Sequence, residues 1–188
     1  GEKVTLWGTD KVTGWKPVGD GVYRAPMAWG LGKNNQVFVG GEMANEARWP
    51  NVADDDPLTH EGAKITKGSP EFIRCDQLPD GLADDHWKGA VIWVIAGAKW
   101  TSWTSVVDSY DPRNKTLRFA ISKQGSIATN MSPGHRRGGY FFLMGTRSAL
   151  DAPNEGYYDA AERMLHLRAP GDADPTTPHV TAKRRLLA

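Results

Sequence analysis

Three pairs of carboxylates lie close enough along the chain to act as an acid and a base: Glu42 with Glu46, Asp108 with Asp111, and Asp151 with Glu155. Hydrolysis of a glycosidic bond needs two such groups about 5–10 Å apart, one of them with a raised pKa. Each pair also has a local structural explanation. Asp111 precedes Pro112 and Asp151 precedes Ala152-Pro153, both turn-forming contexts, while Glu42 and Glu46 flank a short stretch of helix-compatible composition. No catalytic residue is assigned on this basis. The five histidines, at positions 60, 86, 135, 166 and 179, include no pair at metal-ligand spacing, and Cys75 is the sole cysteine. Asp54-Asp55-Asp56 offers hard oxygen ligands but lacks the spacing and the glycine of an EF-hand loop. Neither a nucleophile elbow nor a phosphate-binding glycine loop is present. No metal and no cofactor is expected.

The aromatic residues carry a stronger signal. Eight Trp, five Tyr and five Phe make the chain aromatic-rich, and such large rings are either buried or used in recognition. A sugar presents an apolar ring face and hydroxyls together, so flat rings beside Asn, Gln, Asp or Arg form a sugar-binding pattern. In KWTSWTSVVDSY, period-two alternation puts Trp100, Thr104, Asp108 and Tyr110 on one strand face and Trp103, Ser105 and Val107 on the other. Trp100 and Trp103 then cannot both be core unless a bulge intervenes or both faces are covered. Arg48-Trp49-Pro50-Asn51 pairs a guanidinium with an indole, a combination suited to cation–π stacking or to holding a sugar. The candidate ligand-binding residues are therefore Trp100, Trp103 and Tyr110, extended by Trp15, Arg48 and Trp49. The alternative is that each ring covers the core, with Arg48 paired to the nearby acidic residues.

The elements that must position these residues read as strands. Residues 4–7, 21–25 and 36–39 are short β-prone runs cut by Gly, Asp or Pro. The run AVIWVIA at 90–96 suits a central strand covered on both faces, and YFFLM at 140–144 reads as another inner strand. Residues 99–121 form a long hairpin around Asp111-Pro112-Arg113-Asn114, and 156–168 form a second. Helix-compatible stretches at 43–49 and 158–164 are too short to stand alone. The expected fold is all-β, an antiparallel β-sandwich or distorted barrel of about 8–12 strands with short helical turns at most. Residues 1–168 form that domain, and 169–188 read as a Pro-rich arm and terminal strand.

Charge and composition exclude several classes. Lys and Arg number 23 against 22 Asp and Glu, so the strongly basic surface of a general nucleic-acid binder is absent. No apolar run approaches the roughly 20 residues of a membrane-spanning helix, and no membrane partner is expected. The start lacks the charged and apolar regions of a signal peptide. The charge is unevenly spread, however: residues 41–86 carry −7 and 87–150 carry +7. Mutual neutralisation and a binding groove of one sign both account for such blocks.

Four segments together resemble a known family: ARWPN at 47–51, WTSWTSVVDSYDPRNKTLRF, LDAPNEGYYDAAERMLHLRAPGDADP, and the terminal VTAKRRLLA. They are similar to a β-domain inserted near the N-terminus of secreted right-handed parallel β-helix proteins, among them glycoside hydrolases of the β-xylosidase, xylanase and fucosidase types. The family's second hairpin reads nearer to GEWYYDPATGTLYL; here the turn is Ala160-Ala161-Glu162 and lacks the glycine. In that family the β-helix rungs carry the catalytic carboxylates. The resemblance implies a bacterial, secreted or periplasmic accessory domain, with a plant or algal cell-wall polysaccharide and a parent β-helix as partners. Residues 169–188 would lead toward that β-helix. Three readings remain open: a non-catalytic carbohydrate-binding or cleft-shaping domain, a structural insertion capping a β-helix, and a glycoside hydrolase or lyase in its own right.

Overall fold

The computed structural model describes residues 8–30, 32, 36–51, 62–69, 71–95, 102–120, 139–177 and 179–184. The expected strand at 4–7, Trp100 and Asp54–Asp56 lie outside the described residues. Among those described the chain is nearly all β, with no α-helix and with several largely antiparallel sheets. The chain divides into two compact units, Gly1–Ala47 with Leu150–Ala188, and Arg48–Ala149.

The first unit is a sandwich of two sheets. One runs β1 (Thr9–Lys11), β17 (Val180–Lys183), β4 (Val37–Val39), β5 (Glu42–Met43), all antiparallel. The other runs β2 (Lys16–Gly19), β3 (Val22–Pro26), β16 (Met164–Arg168), β15 (Glu155–Asp159), β6 (Asn45–Glu46), with β15 and β6 parallel. Val37, Val39, Val180 and Ala182 from the first sheet share one buried cluster with Ala25, Leu165 and Leu167 from the second. The β4–β5 turn is Gly40-Gly41, with φ of 62° and 94°, a two-residue hairpin that needs left-handed backbone at both positions. In the β15–β16 hairpin, the one without the glycine, Arg163 adopts φ 56°. Asp159 Oδ1 accepts hydrogen bonds from the backbone N–H groups of Ala161 at 2.9 Å and Glu162 at 3.0 Å, which ties that turn down.

The second unit is one eight-stranded sheet ordered β7 (Arg48–Trp49), β14 (Tyr140–Met144), β11 (Val91–Ile95), β12 (Ser102–Asp111), β13 (Thr116–Phe119), β10 (Phe72–Arg74), β9 (Lys67–Ser69), with β8 (Ala63–Lys64) also on β14. The run at 91–95 is central, as its apolar character implies, but it alternates buried and half-buried residues instead of burying both faces. One sheet face is packed: Ile73, Ile92, Val94, Leu117, Phe119, Phe141 and Leu143 are all buried. Trp87 joins them from a turn-rich loop, its ring 5.9 Å from that of Trp49. We call this the inner face. The β12–β13 turn is fixed by Asp111, whose carboxylate accepts from the Arg113 backbone N–H at 3.0 Å and from Asn114 Nδ2 at 2.9 Å.

Candidate functional site

The outer face of the second unit's sheet is built by register. Antiparallel pairing aligns Phe142, Trp93 and Thr104 in one row, flanked by a row of Arg48, Met144, Val91 and Val106 and a row of Lys64, Tyr140, Ile95 and Ser102. Because side chains alternate across a strand, burying Phe141, Leu143, Ile92 and Val94 inside forces these rows outward. They are exposed or half-buried, and Val106 is 51% exposed. Trp93 and Phe142 pack ring to ring at 4.5 Å with a 42° tilt. The Arg48 guanidinium lies 4.4 Å from the Phe142 ring centroid, and its Nε–H donates to the Pro50 carbonyl at 3.0 Å. Two rings packed against each other, a cation and the hydroxyls of Ser102, Thr104 and Tyr140 thus share one surface.

The face continues past a bulge. The β12–β13 register shifts between Val107 and Ser109, so Asp108 is the extra residue and the alternation inverts after it. Ser109, Asp111, Thr116, Arg118, Phe72 and Arg74 then face outward, with Arg118 over the Phe72 ring at 5.9 Å. A cleft of about 260 Å³ opens here, lined by Asp84, Asp85, Ser109, Tyr110, Asp111, Arg113, Thr116 and Arg118. That volume is a little below the usual range for small-molecule sites. Asp85 Oδ1 accepts from the Tyr110 backbone N–H at 3.1 Å. The hydrogen bond from the Arg113 side chain holds the Asp111 carboxyl below its ordinary range, the opposite of what a general acid requires.

The structure separates the residues singled out by sequence. Arg48 lies on the outer face. Trp103 and Tyr110 are turned to the inner face, 7% and 3% exposed. Unbroken alternation puts Tyr110 on the face opposite Trp103; the bulge at Asp108 brings the two together. Burial, then the charges of Asp80 and Asp111, pushes the Tyr110 phenol up. Trp49, paired with Leu143, is half-buried against Trp87 and Phe141. Trp15 belongs to the first unit, packed on its core with Nε1–H donating to the Val12 carbonyl at 3.1 Å.

Of the carboxylate pairs, Glu42 and Glu46 sit on separate short strands, Asp108 is the bulge, and Glu155 is 3% exposed with Oε2 accepting from the Ala152 backbone N–H. Sequence reasoning missed Trp93, Phe142 and Tyr140. The signal was the alternation of VIWVI and YFFLM, but with apolar residues on both faces the pattern does not say which set points out.

No family model matches the chain, and no curated protein matches it. Among solved structures, a chain described as a glycoside hydrolase aligns over 96% of this chain with a TM-score of 0.68 and 20% sequence identity. The alignment covers 32% of that chain, so this one spans about a third of its length. At this level of identity the likeness shows a shared fold.

Proposed function

We propose that this chain is a non-catalytic carbohydrate-binding or cleft-shaping domain of a secreted or periplasmic glycan-degrading protein, with its sugar platform on the outer face of the eight-stranded sheet. The observation that carries the reading is the Trp93–Phe142 ring pair, with Arg48 over Phe142 and hydroxyl side chains alongside. Apolar ring faces stack on pyranose faces, and the flanking polar groups take the hydroxyls. The platform is placed on Trp93 and Phe142, not on Trp103 and Tyr110, because the latter two face inward. The fold shared with part of a larger glycoside hydrolase supports an accessory role, as does the resemblance to an inserted domain of β-helix enzymes.

The test is calorimetry or affinity electrophoresis on xylan, cellulose, pectin and alginate, with reducing-end release measured in parallel. At least one glycan should bind without being cleaved. Taking base–aromatic stacking of about 1–3 kcal/mol as the nearest measured scale, Trp93→Ala should weaken binding roughly 5- to 150-fold with the circular dichroism spectrum unchanged. Absence of binding to the whole panel favours the structural insertion instead, and release of reducing ends favours an enzyme.

A further inference from the structure

Resting on that reading, we infer that the glycan held by this face is acidic: a chain bearing carboxylates, of the polyuronate type, and not a neutral one. The outer face carries cations at both of its flanks. Arg48 and Lys64 stand on β7 and β8, both paired to β14, and are aligned with Met144 and Tyr140. Four residues of antiparallel strand separate those two positions, about 13 Å, so the two charges bracket Phe142. Across the sheet, β13, β10 and β9 bring Arg118, Arg74 and Lys67 to the same face. Four inter-strand steps separate β14 from β10, about 19 Å. Trp93 and Phe142 lie on the β14 side of that span, with Ser102, Thr104 and Ser109 between.

Carboxylates also lie on or beside this part of the sheet, and several of them are already engaged. Asp111 is held by Arg113 at 3.0 Å, Asp76 pairs with Arg74 at 3.3 Å, and Asp85 pairs with Lys88 at 3.6 Å. Asp84 lines the cleft, and Asp108 is exposed at the bulge. Lys64, Lys67 and Arg118 have no ion pair among the described residues. Rings alone suit any pyranose chain. Rings flanked by outward cations select one that carries negative charge between its stackable faces, because Lys64, Lys67 and Arg118 each gain an ion pair while the ring contacts are kept.

The experiment measures binding of the whole chain to polygalacturonate and alginate, to neutral xylan and cellulose, and to single-stranded DNA as a non-sugar polyanion, at low salt and at 1 M NaCl. Polygalacturonate or alginate should bind more tightly than neutral xylan, and less tightly at 1 M salt, where screening is within about 3 Å. Lys64→Gln and Arg118→Gln should each weaken acidic-glycan binding about 1.5- to 5-fold, the scale of exposed ion pairs, and weaken xylan binding by less. Neither position is in the packed core, so both variants should fold. Equal binding of xylan and polygalacturonate, with Trp93→Ala weakening both, would overturn the acidic assignment and leave the platform standing. DNA binding as tightly as polygalacturonate with no response to Trp93→Ala would overturn it as charge without sugar recognition. Binding to none of the glycans would overturn both.

Discussion

Trp103 tests the division of the sheet into two faces. It is 7% exposed on the inner face, its ring 5.4 Å from that of Phe119. Its Nε1–H is buried with no hydrogen-bond partner among the described residues. Trp103→Ala removes the whole ring from a packed layer, a change that costs about 3–5 kcal/mol through lost transfer energy and the cavity left behind. Trp103→Phe keeps most of the ring and removes the unsatisfied donor, whose burial costs about 1–3 kcal/mol. The two effects of the second change oppose each other, so its net cost should stay below about 2 kcal/mol. Urea unfolding followed by circular dichroism reads the difference directly. With m of about 2 kcal/mol per M, Trp103→Ala lowers the midpoint by about 1.5–2.5 M and Trp103→Phe by less than about 1 M. A Trp103→Ala midpoint within about 0.5 M of wild type would place the ring outside the core. A Trp103→Phe variant as unstable as Trp103→Ala would refute the account of the orphaned N–H.

Other outcomes follow from the same geometry. Phe142→Ala should weaken glycan binding and release the Arg48 guanidinium from the ring it covers, with a midpoint loss in urea smaller than that of Trp103→Ala. Gly62→Ala should destabilise the second unit by about 1–3 kcal/mol, measured by thermal unfolding, because the new Cβ would meet the Phe141 carbonyl oxygen at 2.6 Å, backbone that has little room to give. Asp111, Asp172 and Asp174 are each held below the usual carboxylate value of 3.8 by hydrogen bonds, from Arg113, from Arg168 and from Thr176 in turn. Depressed folded-state values mean that their stabilisation is present above about pH 4 and is lost as pH falls below it, and Asp172→Asn should flatten that part of the stability profile. Cys75 is fully buried and its thiol is pushed up chiefly by that burial, so a thiol reagent should label it slowly in the native protein and rapidly in denaturant.

Where turn chemistry and periodicity agree, the fold was legible before the structure. The 99–121 hairpin is readable from a β-rich run, the Asp111-Pro112-Arg113-Asn114 turn and the return to LRF, and β12 and β13 form it. The 156–168 hairpin was equally clear, although Arg163 and not a glycine takes the left-handed position. The bulge at Asp108 was not legible, because nothing in SVVDSY distinguishes ten regularly paired residues from two shorter runs of opposite phase. That one inserted residue decides whether Tyr110 faces in or out. The parallel β6–β15 pairing and the place of β17 between β1 and β4 depend on contacts distant in sequence, which local patterns do not encode. The outer face was hidden for a related reason. Val91, Trp93 and Ile95 are as apolar as Ile92 and Val94, so only the register with β12 and β14 tells the two sets apart.

The proposed function requires a sugar chain to lie against Trp93. The chain has eight Trp, each with its own indole N–H resonance, and Trp93→Phe identifies the one that belongs to position 93. Titrating an oligogalacturonide into the labelled protein should shift the Trp93 indole signal in proportion to saturation, while the buried Trp87 and Trp103 signals hold still. Movement of the other indoles with Trp93 unmoved would put the sugar elsewhere and contradict the account.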